Sequence, residues 1–359
     1  MSSLLRKPHK WIDAEVARLD PEQDWAQMYR LMNAYRPNDF MLDLIYAHVF
    51  PHFMVPAHGA VPVWRDGDNA KVVNRAGIRA DDTSWHNMIW WYYGPDHPET
   101  KKSVDTVNKI HAHYAELYPG TFAHHFDYVH VWCFSAVTMH RLRLKMGLPG
   151  YTDKEKVAAH RFWKEIGKLF VVPGDDGATH PVDEYPDDFD GVIAWLEEFE
   201  SRDWPVNDLG AKTSKAVLEQ FLHRYFPRPL RPLMRAVIVS FYADSVLKAF
   251  RITPPPRPIR FLLRHACGLA MGLGERLGPD PTQSYVERRQ QLTAEQRRER
   301  SRLLREKGDA FAACFTKSMG LGRDSSGMAM RGGSCPHAVP APNLPSPDPD
   351  VLASETELN

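Results

Sequence analysis

The chain has 359 residues, 43% of them hydrophobic, which is enough apolar material to bury a large core. Basic and acidic residues balance at 45 each, so no overall positive field attracts nucleic acid, and we expect no nucleic-acid partner. The four cysteines, Cys133, Cys267, Cys314 and Cys335, form no CxxC pair, which is typical of a reducing compartment. The N-terminus lacks the apolar segment of an export signal, and the sequence therefore predicts a cytoplasmic protein.

Helical patterns follow one another along the chain, whereas strand-like alternation is scarce. Thr152 with Glu155, and Thr293 with Gln296, have the spacing of capping boxes at helix starts. We therefore predict an all-α fold: one large helical domain over residues 1–317, with globin-like or bundle-like packing. The predicted helical segments are 25–35, 72–93, 102–118, 121–146, 152–170, 189–201, 214–225, 230–250, 259–277 and 293–315, and a mixed apolar stretch covers 41–54.

The last part of the chain has a different composition. Residues 318–359 are rich in Gly, Ser and Pro and end in acidic residues. Such a segment cannot bury enough apolar surface to offset the entropy of ordering it, so we predict a disordered tail.

Residues 259–277 are the most apolar long segment. Arg260, Arg264, His265 and Glu275 interrupt it, which favours an amphipathic or buried helix over a membrane span. Its small residues leave a peripheral membrane contact open, although we do not expect one. The sequence does not define the oligomeric state.

Histidine is abundant, and His111 has the most informative setting. On a helical wheel it lies on the apolar face of its segment. A neutral imidazole facing a core requires hydrogen bonds or a metal, so His111 is either a structural histidine or an axial ligand of heme iron. The apolar face contains Val104, Val107, Ile110, His111, Tyr114 and Tyr118, and Asp105, Lys109 and Glu116 lie opposite.

The next helical segment also brings histidines to an apolar surface. His140 lies on the same face as Cys133, and His130 lies at the margin of that face. A structural histidine and a buried, inert cysteine are the commoner occupants of such positions.

Arg79 and Thr83 are four residues apart in a helical segment and therefore share one face. A guanidinium and a hydroxyl in a partly apolar pocket can hydrogen-bond a bound oxygen or an oxidised substrate. A surface salt bridge of Arg79 and a locally bonded Thr83 explain the same spacing.

Several short segments recur in a recognisable order. They are Arg79-x-x-x-Thr83 with residues 90–94, Val107-Asn108-Lys109-Ile110-His111, Tyr128-Val129-His130, Tyr151-Thr152-Asp153-Lys154-Glu155 and Phe162-Trp163-Lys164-Glu165-Ile166-Gly167. In order and spacing the region of about residues 70–250 resembles the heme oxygenases that include rubber oxygenase (latex clearing protein) and the fungal MpaB oxygenase. Asp82 stands where rubber oxygenases carry a lysine, which argues against polyisoprene as the substrate.

The resemblance implies an all-helical, heme-b-dependent oxygenase. It places the iron ligand at His111 and assigns Arg79 and Thr83 to the distal, catalytic side of the cofactor. The implied partners are dioxygen and a small apolar substrate, isoprenoid or lipid-like.

Other interpretations remain open from the sequence. His113, His125 or His130 is an alternative iron ligand, and a non-heme cluster would draw on the histidines between His111 and His130. That cluster lacks the Glu-x-x-His pairs of carboxylate-bridged di-iron bundles. The alternative function is a non-enzymatic helical protein that binds a hydrophobic ligand or a protein partner.

Overall fold

Helices dominate the architecture, as the sequence predicts. The computed structural model describes residues 9–65, 70–174, 178–182 and 184–319, and 71% of these described residues are helical. Within these ranges the helices are α1 (Trp11–Arg18), α2 (Trp25–Asn33), α3 (Asp39–Phe53), α4 (Ala57–Ala60), α5 (Lys71–Asn74), α6 (Ala76–Tyr93), α7 (Pro98–Leu117), α8 (His125–Lys145), α9 (Asp153–Gly167), α10 (Phe189–Ser201), α11 (Asp208–Tyr225), α12 (Arg231–Val239), α13 (Asp244–Ala249), α14 (Arg257–Leu277), α15 (Tyr285–Gln290) and α16 (Ala294–Ser318). The strands β1 (Val171–Pro173) and β2 (Thr179–Pro181) form an antiparallel pair.

Local capping explains where several helices begin. The predicted capping boxes are confirmed at the starts of α9 and α16, where Thr152 and Thr293 each accept a bond from the backbone three residues on. Ser284 and Glu287 form a third capping box before α15. α10 has the predicted bounds.

Two predicted helices are broken. The segment 72–93 is divided at Arg75, whose φ of −131° and ψ of 36° lie outside the helical region and separate α5 from α6. The segment 230–250 is divided between α12 and α13, where the Ala243 amide donates to Nε2 of His52 at 3.3 Å. The Ala243 amide therefore bonds to a side chain of α3 instead of a backbone carbonyl of its own helical segment.

The apolar residues collect in clusters that α6 connects. One cluster contains Met88 and Trp90 of α6 with residues of α2, α8, α9 and α10. Another contains Ala76 and Ala80 of α6 with residues of α3, α5, α11 and α16. α6 therefore passes from one core to the other, and Thr83 lies between the α6 residues of the two clusters.

A network of charged residues holds α15 and α16 against α6. The carboxylate of Asp81 accepts from Arg289 and from Arg300, each at 2.5 Å. Arg300 also pairs with Asp39 at 2.5 Å, and Tyr285 donates to Asp39 at 2.9 Å. The helix that carries Arg79 and Thr83 is thus tied to the far end of the described chain.

The predicted tail, 318–359, lies outside the described residues except for its first two. α16 includes Ser318, so the predicted boundary at 317 falls in the last turn of that helix. Across the part of the chain that the structure describes, every helix is too short or too polar to cross a membrane.

Candidate functional site

The hairpin of α6 and α7 supports the predicted site residues. Gly94, with a φ of 78°, ends α6, and Pro98 opens α7. Oγ of Ser103 on α7 lies 2.7 Å from Nδ1 of His86 and accepts from Nε1 of Trp90 at 2.8 Å. These two bonds fix the register of the two antiparallel helices.

His111 lies on α7 with its ring enclosed by aromatic side chains. Its ring stacks on Phe122, with centroids 4.1 Å apart and an interplanar angle of 12°, and meets the edge of Tyr128 at 5.8 Å. Its Nδ1 atom is buried and has no hydrogen-bond partner. Burial lowers the pKa of His111 to about 4, so the imidazole is neutral at pH 7 with a nitrogen lone pair available.

The loop between α7 and α8 holds Phe122 on the histidine ring. Phe122 has a φ of 55°, a conformation that non-glycine residues rarely adopt. Its carbonyl accepts from the Tyr128 hydroxyl at 3.2 Å, and the buried Thr121 donates to the carbonyl of Tyr118 at 2.8 Å. Such a conformation persists only where the surroundings enforce it, as these bonds do.

Arg79 and Thr83 lie together on α6, as their spacing predicts. Nη1 of Arg79 donates to the hydroxyl of Tyr46 on α3 at 2.6 Å, and the guanidinium lies 4.8 Å from the ring centroid of Phe50. The Thr83 hydroxyl donates to the backbone carbonyl of Arg79 at 3.0 Å. While that bond is held, the Thr83 oxygen can accept a hydrogen bond but cannot donate one.

The helix register places His111 and Arg79 at similar heights on the hairpin. His111 lies eight residues beyond Ser103 on α7, and Arg79 lies seven residues before His86 on α6. At a rise of about 1.5 Å per residue, both lie roughly 10–12 Å along the hairpin from the Ser103 bonds. Within the described ranges no hydrogen bond joins His111 to Arg79 or Thr83: Arg79 points towards α3, and His111 towards the α7–α8 loop.

Asp82, the residue that departs from the rubber oxygenase pattern, lies on the outer side of α6. Its carboxylate is 4.0 Å from Nζ of Lys71 on α5 and is half exposed. It therefore takes part in a weak surface ion pair.

Neighbouring histidines have structural partners. His130 stacks on Phe199 at 3.9 Å, and burial lowers its pKa to about 3. His140 accepts from the backbone amide of Tyr151 at 2.8 Å. Cys133 is fully buried, and burial raises the pKa of its thiol. Searched over the described residues, His, Cys, Asp and Glu side chains form no group of three that would hold a metal alone.

Sequence reasoning missed three residues around the candidate site: Tyr46, Phe50 and Phe122. Tyr46 and Phe50 share a face of α3 through their i, i+4 spacing, but nothing local links that face to Arg79. The sequence predicts that Phe122 lies in the helix 121–146, but α8 begins only at His125 and Phe122 lies in the preceding loop with a φ of 55°, so its contact with His111 could not be predicted.

One comparison shows which protein family the chain belongs to. The family described as "ER-bound oxygenase mpaB/B'/Rubber oxygenase, catalytic domain" matches residues 41–271. The chain belongs to this oxygenase family. A search of curated proteins finds no match. The matched region contains Arg79, Thr83 and His111 and leaves α1, α2, α15 and α16 outside it.

Membership in the family identifies the chain as an oxygenase, an oxidoreductase that uses dioxygen. The resemblance to MpaB and rubber oxygenases is thereby confirmed.

Proposed function

We propose that the chain is a heme-b-dependent oxygenase in which His111 is the protein ligand of the iron. The observation that carries the proposal is a neutral, enclosed imidazole with a buried nitrogen that lacks a hydrogen bond. An unpaired buried nitrogen costs about 1–3 kcal/mol, which a metal bond would offset. One histidine is sufficient because the macrocycle supplies the other four ligands.

The surroundings of His111 fit that role. A ring nitrogen binds a metal through a lone pair in the plane of the ring. Phe122 covers the face of the ring, so it fixes the orientation without blocking that plane. Tyr128 fixes the loop through its bond to the Phe122 carbonyl, so the two aromatic residues hold the ligand in one orientation.

We propose that Arg79 and Thr83 would contact dioxygen or the substrate when the cofactor is bound. Tyr46 takes one donor of the Arg79 guanidinium, and the remaining donors can bond an oxygen atom of a bound molecule. The Thr83 oxygen can accept a hydrogen bond from a donor group of the bound molecule. Phe50 covers the guanidinium, which excludes water and strengthens these interactions.

When bound, heme b supplies the activation of dioxygen. The chain's own residues would bind and orient the cofactor and shield the site from water. We propose a small apolar substrate, isoprenoid or lipid-like, as the resemblance implies, and the aromatic side chains of Phe50 and Tyr46 beside Arg79 agree with that choice. The cytoplasmic location remains a prediction from the sequence.

The absorption spectrum after reconstitution with heme tests the ligand. We expect a Soret band in the wild type and its loss or shift in His111→Ala. His113→Ala is the matched control, because His113 lies on the same helix two residues away and should leave the band unchanged. Far-UV circular dichroism verifies that both variants fold.

The outcomes of this reconstitution distinguish a heme-dependent oxygenase from a family member that binds no heme. A folded wild type that takes up no heme would overturn the cofactor proposal and leave a family member with a different chemistry or a ligand-binding role. Loss of the band in His113→Ala alone would assign the iron to the other histidine.

A second measurement addresses Arg79 and Thr83. Arg79→Gln and Thr83→Val should retain the Soret band and lower substrate-dependent dioxygen consumption about tenfold or more, because a preorganised donor near the developing charge is lost. Consumption at the wild-type rate in both variants would remove them from the catalytic site.

A further inference from the structure

α14 packs on the protein through its polar and small residues. Arg264 donates from Nε to the carbonyl of Ser240 at 2.7 Å, and Glu275 forms an ion pair with Arg143 of α8. Gly268 is the one residue of α14 that is fully buried, and a Cβ there would lie 2.2 Å from the carbonyl oxygen of Met146. The inward side of this helix therefore carries polar and small residues beside the partly buried Leu263, Cys267 and Met271.

The apolar residues of α14 form a stripe on the outward face. The stripe, Ile259, Leu262, Leu269, Leu273 and Leu277, follows the i, i+3, i+4 and i+7 spacing of one helix side. Leu262 and Leu269 are each 67% exposed, and Leu277 is 72% exposed. Single exposed leucines are ordinary, but a continuous apolar stripe along about 30 Å of helix marks a binding surface.

Further exposed apolar side chains lie on α14 and at the start of α12. Phe261 on α14 is 64% exposed, and Leu230 and Leu233 at the start of α12, the helix packed beside α14, are about half exposed. Together they extend the apolar surface beyond one helix. We call this surface, the stripe with Phe261, Leu230 and Leu233, the α12–α14 face.

The segment that forms the α12–α14 face is strongly basic. Between Phe226 and Gly278 there are nine lysines and arginines and two acidic residues, and four of the nine bond to other groups of the protein: Arg231, Arg235, Arg251 and Arg264. Arg257 and Arg276 are exposed at the two ends of α14. An apolar strip bordered by cations is complementary to a surface that is anionic outside and apolar beneath.

We infer that the α12–α14 face binds an anionic lipid bilayer, with α14 lying in the plane of the interface. The apolar stripe enters the acyl boundary, and the arginines remain at the level of the anionic headgroups. This is peripheral docking, and it agrees with the inability of α14 to span a bilayer. It supplies a specific surface for the membrane contact that the sequence left open.

A second copy of the chain fits the face less well. In a twofold dimer the same patch meets itself, so the arginines of one copy would approach those of the other. Juxtaposed like charges oppose such an interface. The bilayer offers the opposite charge along the whole length of the helix.

Co-sedimentation of the full chain with vesicles tests this inference. The probes are phosphatidylcholine vesicles and phosphatidylcholine vesicles with about one-third phosphatidylserine. We expect at least about tenfold stronger partition onto the anionic vesicles, weakened by salt. Arg257→Ala with Arg276→Ala should lower partition onto the anionic vesicles and leave the weak partition onto neutral ones unchanged.

Leu262→Ser with Leu269→Ser should reduce partition about tenfold or more, because two apolar side chains leave the interface. The control is Val206→Ser with Leu303→Ser, which removes two apolar side chains that are 49% and 42% exposed and lie outside α12 and α14, and this variant should bind as the wild type does. Far-UV circular dichroism and the unfolding midpoint confirm that all variants are folded.

Three results would overturn the inference. The first is a wild type that does not sediment with anionic vesicles, and the second is a Leu262→Ser, Leu269→Ser variant that binds them unchanged. The third is a dimer in light scattering that this variant converts to a monomer without vesicle binding, which would make a second copy the occupant. Docking is independent of the heme at His111, so each of these results leaves the proposed function standing.

Discussion

Asp81 offers the sharpest test of how the candidate site is supported. Its carboxylate is 10% exposed and accepts from Arg289 and Arg300, each at 2.5 Å. Asp81→Asn keeps the shape of the side chain and removes its charge. The amide group also presents hydrogen-bond donors to one of the two guanidinium groups, which have donors only.

The magnitude follows from the burial of the network. Removing one partner of a buried ion pair costs about 3–5 kcal/mol, because the remaining charge is left without compensation. The side chains of Arg289 and Arg300 are 16% and 21% exposed, and Arg300 keeps its pair with Asp39. We therefore expect a loss at the lower end, about 3 kcal/mol of the free energy of unfolding.

Urea denaturation, followed by circular dichroism, measures this loss. Asp105→Asn is the control: Asp105 pairs with Lys109 at 2.8 Å, but both side chains are more than half exposed. An exposed pair contributes about 0.5 kcal/mol or less. If Asp81→Asn shifts the free energy of unfolding no more than Asp105→Asn does, the network does not stabilise α6 and the reasoning fails.

Two further predictions concern packing and pH. Gly268→Ala should cost about 2 kcal/mol or more in thermal unfolding, because the new Cβ would meet the Met146 carbonyl oxygen at 2.2 Å. Gly274→Ala, with no neighbouring atom within 4 Å, should instead be neutral or gain up to about 1 kcal/mol, and equal effects would contradict the packing of α14. Burial lowers the pKa of His130 to about 3, so its contribution to stability is complete above pH ~6.5 and falls by about 1.4 kcal/mol per unit as pH drops towards 3. His130→Gln should reduce that slope in denaturation measured from pH 7 to 5, and a slope equal to the wild type's would be the contrary result.

Helix positions were predictable where the deciding interactions are local. The capping boxes at Thr152 and Thr293 lie within one helical turn, so the sequence alone locates the starts of α9 and α16. The break before α13 was not predictable, because it depends on His52, a residue about 190 positions away from Ala243. Hydrophobic periodicity continues across that break and predicts one helix instead of two.

The same distinction between local and long-range interactions applies to the candidate site. The helical wheel of α7 turns His111 inwards, and the structure encloses it as expected. Its contact with Phe122 depends on a positive φ in a loop, and the bond from Arg79 to Tyr46 joins two helices that are far apart in sequence. For α14 the periodicity indicates an amphipathic helix, but only the three-dimensional packing shows that the apolar side faces outwards.

The ion pairs of Asp81 join parts of the chain that are synthesised at different times. Arg289 and Arg300 lie beyond the region that matches the family, and they leave the ribosome about two hundred residues after Asp81. Until they emerge, Asp81 lacks its two cationic partners. We therefore expect the helix that carries Arg79 and Thr83 to be fixed in its final position only after α15 and α16 have been synthesised.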